Sequence, residues 1–492
     1  MLNEELIKLA HSRVYPFHMP GHKRRGFSDF PSPYSLDITE IEGFDNLHHP
    51  LGILKEEQAR AAAVYGSKQC YYLVNGSTCG LLAAISAAVR PGGRVLVARN
   101  CHKSVYNALY LRRLRPVYVY PAITRQGLQG QIRAEDIRQK LAEYKDIRAV
   151  VVTSPTYDGI LSDVAAIAEE THRRGIPLIV DGAHGAHLGF HEAFPENAVR
   201  LGADAVVMSI HKTLPAFTQT ALLHLCSDRL SAPETERFLG IYESSSPSYV
   251  LMAGISRCME LLSSPAVREQ FSVYAQRLAD FRERIQKLSH FKAPGAEDFT
   301  REEAFAFDPG KLIIDTSASG MTGARLKERL LTDYGLQTEM ASGAYVLAMT
   351  SLMDSREGFD RLAAALEELD RKADVLPERD RDASAGETDR LTAAELYQRQ
   401  FADMELWEAL DAEQEIVPLS AAAGRSIADY LFLYPPGIPI LAPGERMGEQ
   451  TPALIERCRR MGLAVEGLAG ADAIRVVKSR DMYYNIEDST WA

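Results

Sequence analysis

The sequence is poor in cysteine: its 492 residues include six, and no two of them form a Cys-x-x-Cys pair. Their spacing, at positions 70, 79, 101, 226, 258 and 458, matches no zinc-ligand pattern. This argues against a disulfide framework and against a structural metal. Such a chain suits a reducing compartment, so we expect a cytoplasmic protein without a metal site.

Long apolar runs and excess positive charge are also missing. No window approaches the ~18 consecutive apolar residues of a membrane span, and the N-terminal MLNEELIKLAHSRV lacks the apolar core of a secretory signal. The 66 acidic residues outnumber the 55 Lys and Arg, which gives a net charge of −11. We therefore expect no membrane and no nucleic-acid partner, and a weak preference for cationic small molecules.

Between residues 60 and 225 the sequence alternates short β-rich apolar runs with helical patterns. This alternation predicts an α/β fold in which helices flank a mostly parallel sheet. The hydrophobic content of 46% is sufficient for sizeable cores. The predicted strands are 93–98, 115–122, 148–155, 176–184, 203–210 and 220–226.

The remainder of the chain divides at changes in composition. Two long amphipathic patterns follow the sheet region, and a strand, helix, strand pattern then indicates a smaller α/β domain. The highly charged RKADVLPERDRDASAGETDR, residues 371–390, is typical of a linker. From these changes in composition, and from the family resemblance given below, we predict an N-terminal arm (1–58), a large domain (59–290), a small domain (291–370), a linker (371–392) and a C-terminal domain (393–492).

One segment offers a place for a phosphate. VNGSTCGLLAAISAAV puts Gly76, Ser77 and Thr78 immediately before a predicted helix. Free backbone N–H groups and two hydroxyls would meet at that helix start, where an anion is stabilised. The alternative is an ordinary Ser/Thr cap of the helix.

Two further segments carry polar residues just after predicted strands. In RNCHKS, the imidazole of His102 could lie on a planar cofactor ring, or it could be an ordinary hydrogen-bonded histidine. The adjacent Cys101 could suggest a Cys–His nucleophile, but the wider pattern does not support one. In LIVDGAHGAH, Asp181 follows an apolar run and needs a positive partner such as a pyridinium N–H. His184 and His187 suggest a metal pair, but no third ligand lies nearby.

The segment SIHKTLPAFTQ places Ser209, His211 and Lys212 directly after another β-rich run. Lysine is costly to bury, but a desolvated lysine loses its proton readily and can then form an imine with an aldehyde. The alternative is a lysine that extends from a strand end to solvent. A phosphate cradle, a ring-stacking histidine, an aspartate and then a lysine, in this order, together indicate a pyridoxal 5′-phosphate site.

The chain resembles the short bacterial ornithine/lysine/arginine decarboxylases, which are fold type I pyridoxal-phosphate enzymes, over nearly its full length. The resemblance implies a mostly parallel seven-stranded sheet with small C-terminal α/β domains. The matching segments are FHMPGHKRRG, LDITEIEGFDNLHHPLGILKEEQ, NGST, RNCHKS, TSPTYDG, VDGAHGAH, SIHKTLPAFTQ, SSSPSY and YPPGIPILAPGE.

The resemblance implies a role for each matching residue. Lys212 would carry the cofactor through an imine, His102 would stack on its ring and Asp181 would pair with the ring nitrogen, while Ala183 and His184 pack near the ring. A hydroxyl of the SSSPSY loop, from Ser245 or Ser246, would reach the phosphate of the neighbouring subunit, which implies a homodimer with shared active sites and leaves a higher oligomer open. The residues expected around the phosphate in the same chain are Gly76, Ser77, Thr78, Ser209 and His211.

The expected reaction is decarboxylation of arginine, lysine or ornithine to agmatine, cadaverine or putrescine, a step of polyamine synthesis. Lys212 or His211 would return a proton to Cα. A basic substrate side chain needs a carboxylate partner, for which Glu445 and Asp45 are the candidates; the alternative for both is to order a loop. The same cofactor site could serve an aminotransferase or a lyase, or belong to a non-catalytic regulator.

Two positions depart from relatives in this resemblance. Relatives often read Asp-Glu-Ala-His where this chain has Gly182 as its second residue, and some carry Asp in place of Ser256. We expect altered packing at the first position and changed substrate contacts at the second. The N-terminal wing domain of the large inducible decarboxylases is also missing, so a decamer built through that domain is not expected.

Overall fold

The structure, a computed structural model, describes residues 1–25, 27, 29–373, 395, 400–433, 438–460 and 464–478. Its N-terminal segment crosses the molecule before the main sheet begins. That segment contains α1 (Leu2–His11), β1 (Tyr15–Phe17), α2 (Pro33–Leu36) and α3 (Ile53–Tyr65).

A seven-stranded sheet forms the centre of the large domain. Its strands are β2 (Gln69–Leu73), β3 (Arg94–Ala98), β4 (Arg115–Val119), β5 (Ile147–Thr153), β7 (Leu178–Asp181), β8 (Ala205–Ser209) and β9 (Ala221–Leu225). They lie in the order β2-β9-β8-β7-β5-β3-β4, and only β9 runs antiparallel to its neighbours. The predicted mostly parallel sheet is confirmed, and β2, whose QCYYL has no β-branched residue, is the strand that the sequence pattern does not reveal.

Helices cover both faces of this sheet, and this explains the uninterrupted apolar strands. Alternate residues of β5 enter two different cores: Val150 and Val152 pack on one face, Ala149 and Val151 on the other. The covering helices are α4 (Gly76–Ala88), α5 (Lys103–Leu111), α6 (Ala134–Glu143), α7 (Val164–His172), α8 (Ile210–Thr213), α9 (Ala232–Tyr242), α10 (Tyr249–Ser263) and α11 (Val267–Gln286).

A smaller antiparallel sheet follows, with the strand order β11-β14-β13. Two short pairings join parts of the chain that are distant in sequence: β1 pairs with β12, and β6 (Ile160–Leu161) pairs with β10. The elements are β10 (Ala306–Phe307), β11 (Lys311–Asp315), α12 (Gly323–Thr332), β12 (Leu336–Thr338), β13 (Met340–Ser342), β14 (Tyr345–Met349) and α13 (Arg356–Ala373).

The C-terminal part contains two small sheets, β15-β19 and β17-β16-β18. The elements are α14 (Leu406–Asp411), β15 (Gln414–Pro418), β16 (Leu431–Leu433), β17 (Ile438–Leu441), α15 (Thr451–Arg460), β18 (Val465–Glu466) and β19 (Ala473–Val477). The predicted linker lies outside the described residues from position 374, as do residues 434–437 of YPPGIPILAPGE. The division into domains stays a prediction, and α3 runs across its first boundary at residue 58.

In the described part of the chain, no single helix is long and apolar enough to cross a membrane. By length and composition, α10 and α11 meet that test only together, as a pair bent by 87°.

The N-terminal arm packs against the segment that carries Lys212. The backbone N–H of Gly21 donates to the carbonyl of His211 at 2.7 Å, and a Cβ on Gly21 would lie 2.7 Å from backbone atoms of Leu214. On the same arm, the ammonium of Lys23 donates to the carbonyl of Met349 at 2.7 Å. The arm therefore fixes α8 from outside the sheet.

We expect Gly21→Ala to lower the free energy of unfolding by about 1–3 kcal/mol, because its methyl group would press on backbone that cannot move independently. Urea denaturation measures the change. Gly240→Ala is the matched control: its Cβ meets nothing within 4 Å, so we expect no loss, or a gain of up to about 1 kcal/mol. Equal midpoints for the two variants would contradict the close packing of the arm.

Candidate active site

The carboxyl ends of adjacent strands bring the predicted site residues to one edge of the large sheet. Asp181 ends β7 and pairs in register with Thr153 of β5 and Val207 of β8. Ser209 ends β8, so Lys212 lies one short turn beyond it, in α8. Parallel strands always present their carboxyl ends together, and open α/β sheets bind ligands there.

Lys212 points its amine into this edge. Its Nζ lies 3.0 Å from Nε2 of His184. Burial lowers the pKa of Lys212, while the carboxylate of Asp181 opposes that shift. A lysine in this setting releases its proton more readily than a lysine in solvent, which is the requirement for a nucleophilic amine.

Asp181 is buried at the end of β7, where its Oδ1 accepts a hydrogen bond from the N–H of Ala183 at 3.2 Å. Burial raises the pKa of Asp181, and the positive charge of Lys212 counteracts this. The carboxylate therefore gains from a cationic partner at this edge.

His102 is the N-cap residue of helix α5, and its Nδ1 accepts a hydrogen bond from the N–H of Ser104 at 3.2 Å. Burial, aided by the charge of Lys212, lowers the pKa of His102 to about 4. The ring is therefore a neutral imidazole near neutral pH. A neutral ring with an uncharged face suits stacking against another aromatic system.

Two of the residues predicted to hold a phosphate are in contact. Gly76, with φ of +76°, opens the 13-residue helix α4, and Oγ of Ser77 lies 2.7 Å from Oγ of Ser209. Thr78 is exposed beside them. The ring of His211 is held by its Nδ1, 2.9 Å from the carbonyl of Thr220.

Three buried polar side-chain atoms near these strand ends have no hydrogen-bond partner among the described residues. They are Oδ1 of Asn100, Oγ1 of Thr153 and Oγ1 of Thr213. Orphaned polar atoms are costly in a protein interior, so their presence here is consistent with a polar ligand. Together with an aldehyde-reactive amine, a carboxylate, a flat imidazole and a helix start, they fit pyridoxal 5′-phosphate.

His184 has a surrounding that the sequence pattern does not reveal. Its Nε2 faces Lys212, and its Nδ1 lies 2.8 Å from Nζ of Lys311, a second buried lysine. The ring of Tyr157 lies 4.8 Å from the imidazole. Lys311 opens β11, about a hundred residues after Lys212. The sequence signal that could have marked it is a lysine directly before the apolar residues of LIID.

The alternatives for nearby residues receive no support from the geometry. Nε2 of His187 lies 3.0 Å from Oδ1 of Asp308, so this histidine already has a partner within the chain. In the described ranges no group of three or more His, Cys, Asp or Glu residues is arranged to hold a metal ion. Cys101 is buried, and burial raises the pKa of its thiol, so it is not an activated nucleophile.

The two predicted substrate carboxylates are engaged within the chain. Oε2 of buried Glu445 lies 3.0 Å from a guanidinium nitrogen of Arg99 and accepts a 2.7 Å hydrogen bond from the N–H of Ala442. Asp45 accepts backbone hydrogen bonds from Leu51 and Gly52. These contacts fit the alternative in which both residues order loops, and the role of either carboxylate in substrate binding stays a prediction.

The two departures have local explanations. A Cβ on Gly182 would lie 3.1 Å from Val206, so glycine lets the segment after β7 pack closely on β8. Oγ of Ser256 accepts a 3.1 Å hydrogen bond from Arg60.

The serines predicted to serve the neighbouring subunit lie at the surface of this chain. Ser245 and Ser246 are exposed, in the loop between α9 and α10. The arm meets the same loop, since Nε2 of His48 lies 2.8 Å from the carbonyl of Ser244. The hydroxyl of Tyr249 donates to the carbonyl of Asp45. The arm and the serine loop thus form one continuous surface.

Comparison with known proteins places the chain within one family. Residues 2–312 match the Orn/Lys/Arg decarboxylase major domain, and residues 390–462 match the C-terminal domain of that family. The chain is similar to the arginine decarboxylase of Bacillus subtilis, with 30% identity across 96% of this chain and 97% of the relative. It is 33% identical to the arginine decarboxylase of Halalkalibacterium halodurans, across 93% and 94% of the two chains.

Solved structures agree with this match at the level of the fold. The crystal structure of the Francisella novicida lysine decarboxylase LdcF superposes with a TM-score of 0.77 at 21% identity, covering 97% of this chain and 81% of that one. The predicted fold type I class is confirmed.

We expect the stability of the cofactor-free protein to fall as the pH is lowered from 7 towards 4. Burial lowers the pKa of His102 and of His211 to about 4 from the ordinary 6.5, so between these values the unfolded chain binds protons that the folded chain refuses. Each imidazole costs up to about 3 kcal/mol over that window. Urea denaturation at several pH values measures the slope.

His211→Asn should flatten this pH dependence, because one of the contributing imidazoles is then missing. His11→Asn, at an exposed position of α1, is the control and should leave the slope unchanged. If His211→Asn and the parent protein gave the same slope, His211 would not be a buried neutral imidazole.

Proposed function

Because the chain belongs to the Orn/Lys/Arg decarboxylase family and is therefore a decarboxylase of basic amino acids, we propose that it converts arginine to agmatine with pyridoxal 5′-phosphate as cofactor. The convergence of Lys212, Asp181, His102 and His184 on one sheet edge carries the assignment of the cofactor site. The choice of arginine is supported by the two arginine decarboxylases that match this chain over more than nine-tenths of its length.

The chain's residues suit the parts of the cofactor one by one. Lys212 would hold its aldehyde carbon, Asp181 its ring nitrogen and His102 one face of its ring. Ser77 and Ser209, with the start of α4, would hold its phosphate. When bound, this cofactor accepts the electron pair that a departing carboxyl group leaves behind.

Two of these side chains act through charge. The buried carboxylate of Asp181 favours a protonated nitrogen in front of it, since a buried anion requires a cationic partner. The amine of Lys212 accepts or returns a proton at low cost, because burial has already weakened its hold on that proton.

His102 contributes shape instead of charge. Its neutral ring restricts one side of the site without adding a cation that would compete with the protonated nitrogen for Asp181. His184, in contact with Nζ of Lys212, is the nearest described group that can take a proton from that amine or return one. His211 is held by its Nδ1 at the carbonyl of Thr220, so its other ring nitrogen is the one available to a ligand.

A homodimer with shared active sites belongs to the same proposal. The arm, which contacts the serine loop through His48, exposes apolar side chains, among them Tyr34, Phe44 and Leu51. Large apolar side chains left exposed on one segment are typical of a protein interface. In a two-fold assembly the loop of one subunit then enters the site of the other, with Ser245 or Ser246 supplying a hydroxyl to the phosphate.

Cytoplasmic location and a part in polyamine synthesis complete the proposal. All six cysteines are free thiols, and five of them are buried, as suits a reducing compartment. Agmatine is a precursor from which polyamines can be made, so the proposed reaction suits polyamine synthesis.

A substrate panel tests the reaction. We expect the purified protein to release carbon dioxide and an equal amount of agmatine from arginine, and much less product from lysine or ornithine. Lys212→Ala should lose the activity by at least about 10³-fold and also the visible absorbance of the bound cofactor, since the amine that forms the imine is then missing. Lys103→Ala, at an exposed lysine near His102, is the control and should retain both.

The outcome separates the competing functions. Formation of a keto acid from arginine without carbon dioxide would identify an aminotransferase. Failure to bind added cofactor would favour a regulator, and diamine from lysine or ornithine as the main product would overturn the choice of arginine.

Mixing two inactive variants tests the shared sites. Lys212→Ala and the double variant Ser245→Ala, Ser246→Ala damage different halves of a composite site, so a mixed dimer has one intact site. After reassembly we expect about a quarter of the parental activity, because about half of the dimers are mixed. Ser420→Ala, exposed in the C-terminal part, is the control and should be fully active alone.

Light scattering gives the mass in the same samples. Leu51→Asp, which places a charge at an exposed apolar position of the arm, should shift the protein towards monomer. A monomer with full activity would contradict the proposal.

A further inference from the structure

The two lysines at His184 are the feature that the proposed chemistry does not yet use. Nζ of Lys212 lies 3.0 Å from Nε2, and Nζ of Lys311 lies 2.8 Å from Nδ1. One imidazole ring therefore separates two amines. Lys311 is almost completely buried, so its interaction with His184 is not weakened by solvent.

A neutral imidazole has one nitrogen that donates and one that accepts. An ammonium group can only donate, whereas a neutral amine can accept. If both lysines were ammonium groups, both ring nitrogens would have to accept, and a neutral imidazole cannot do this. Burial together with the two lysines keeps the pKa of His184 well below its ordinary value, so the ring is neutral. One of the two amines must then lack its extra proton.

The surroundings decide which amine keeps the proton. Lys311 lies near the carboxylates of Asp308 and Asp158, and these favour its ammonium form although burial lowers the pKa of Lys311 to about 8. Asp181 favours the ammonium form of Lys212, and Glu339 acts on both amines. The titratable groups that face the three members from the elements packed against them are Asp158, Asp181, Asp308, Glu339, His102, His211 and Tyr157.

We infer that Lys311 is a positioning residue for Lys212: by donating to Nδ1 of His184, it sets the Nε2–H tautomer, which in turn donates to a neutral Lys212 amine. The proton balance is complete within the three residues. When Lys212 takes a proton from Nε2, Nδ1 takes one from Lys311, so that Lys212 becomes an ammonium and Lys311 a neutral amine. The reverse transfer restores the first state.

The fold holds Lys311 in this position. Gly159, with φ of +98°, lies under the lysine stem, and a Cβ there would be 2.6 Å from Cγ of Lys311. The N–H of Lys311 donates to the carbonyl of Asp308 at 3.1 Å, and Asp308 is itself held by His187. A buried charge with this much local support is unlike a lysine whose only role is to fill space.

The inference rests on the proposed role of Lys212 as the cofactor-bearing amine, but its test reads that amine in the cofactor-free protein and without substrate. Acetic anhydride labels a lysine only in its neutral form, so the extent of labelling at Lys212 against pH, measured by peptide mass spectrometry, gives the midpoint of its titration. Because no substrate is present, the labelling midpoint would be the same whether the protein decarboxylates arginine or lysine, so the two proposals can fail separately.

We expect Lys311→Met to move the labelling midpoint of Lys212 upward by about one pH unit or more, because His184 is then free to accept from a Lys212 ammonium. Lys311→Arg should keep the parental midpoint, since a guanidinium also donates to Nδ1. Lys327→Met is the matched control. It removes a half-buried lysine whose Nζ donates to the carbonyl of Glu339, and should not move the midpoint.

A folded Lys311→Met protein, verified by circular dichroism, with an unchanged Lys212 midpoint would overturn the inference. A second measurement uses the parental protein, so it tests the inference even if Lys311→Met does not fold. In the parental cofactor-free protein, ¹⁵N NMR of labelled histidine should show His184 protonated at Nε2 and bare at Nδ1, the signal being assigned by its loss in His184→Gln. The opposite tautomer would refute the role of Lys311.

Discussion

The site depends on one constraint, the burial of a lysine amine and a carboxylate at the ends of two adjacent strands. Neither Lys212 nor Asp181 is stable as an isolated charge in that position, and each moderates the pKa shift that burial imposes on the other. The register between β7 and β8 sets their separation, and the apolar strands on both faces of the sheet fix that register. The chemistry of the site is thus a consequence of how the sheet core packs.

The main features of this arrangement could be predicted from the sequence because they are local. Lys212, Asp181 and His102 each stand next to an apolar run, so a strand end could be recognised together with the polar residue that follows it. The strand β2 was not predicted because QCYYL has neither β-branched residues nor a regular alternation of apolar and polar residues. Both observations reflect how strongly short-range pattern determines secondary structure.

Contacts between distant parts of the chain could not be predicted in this way. The motif around Glu445 suggested a substrate carboxylate, but its partner Arg99 stands 346 residues away in the sequence, and only the folded chain shows that the two charges meet. Lys311 likewise gains its importance from burial against Gly159 and from contact with His184. A motif identifies a side chain but not its partners.

The buried contact between Arg99 and Glu445 has a consequence for how separable the parts of this protein are. Arg99 stands three residues before His102, and its guanidinium also donates to the carbonyls of Pro439 and Ile440. Without the C-terminal segment, Arg99 would lose its carboxylate partner and two backbone acceptors at the base of the loop that carries His102. The large sheet and the C-terminal segment are therefore coupled at this joint, and gene fusions or truncations that exchange the C-terminal module would have to keep a partner for residue 99.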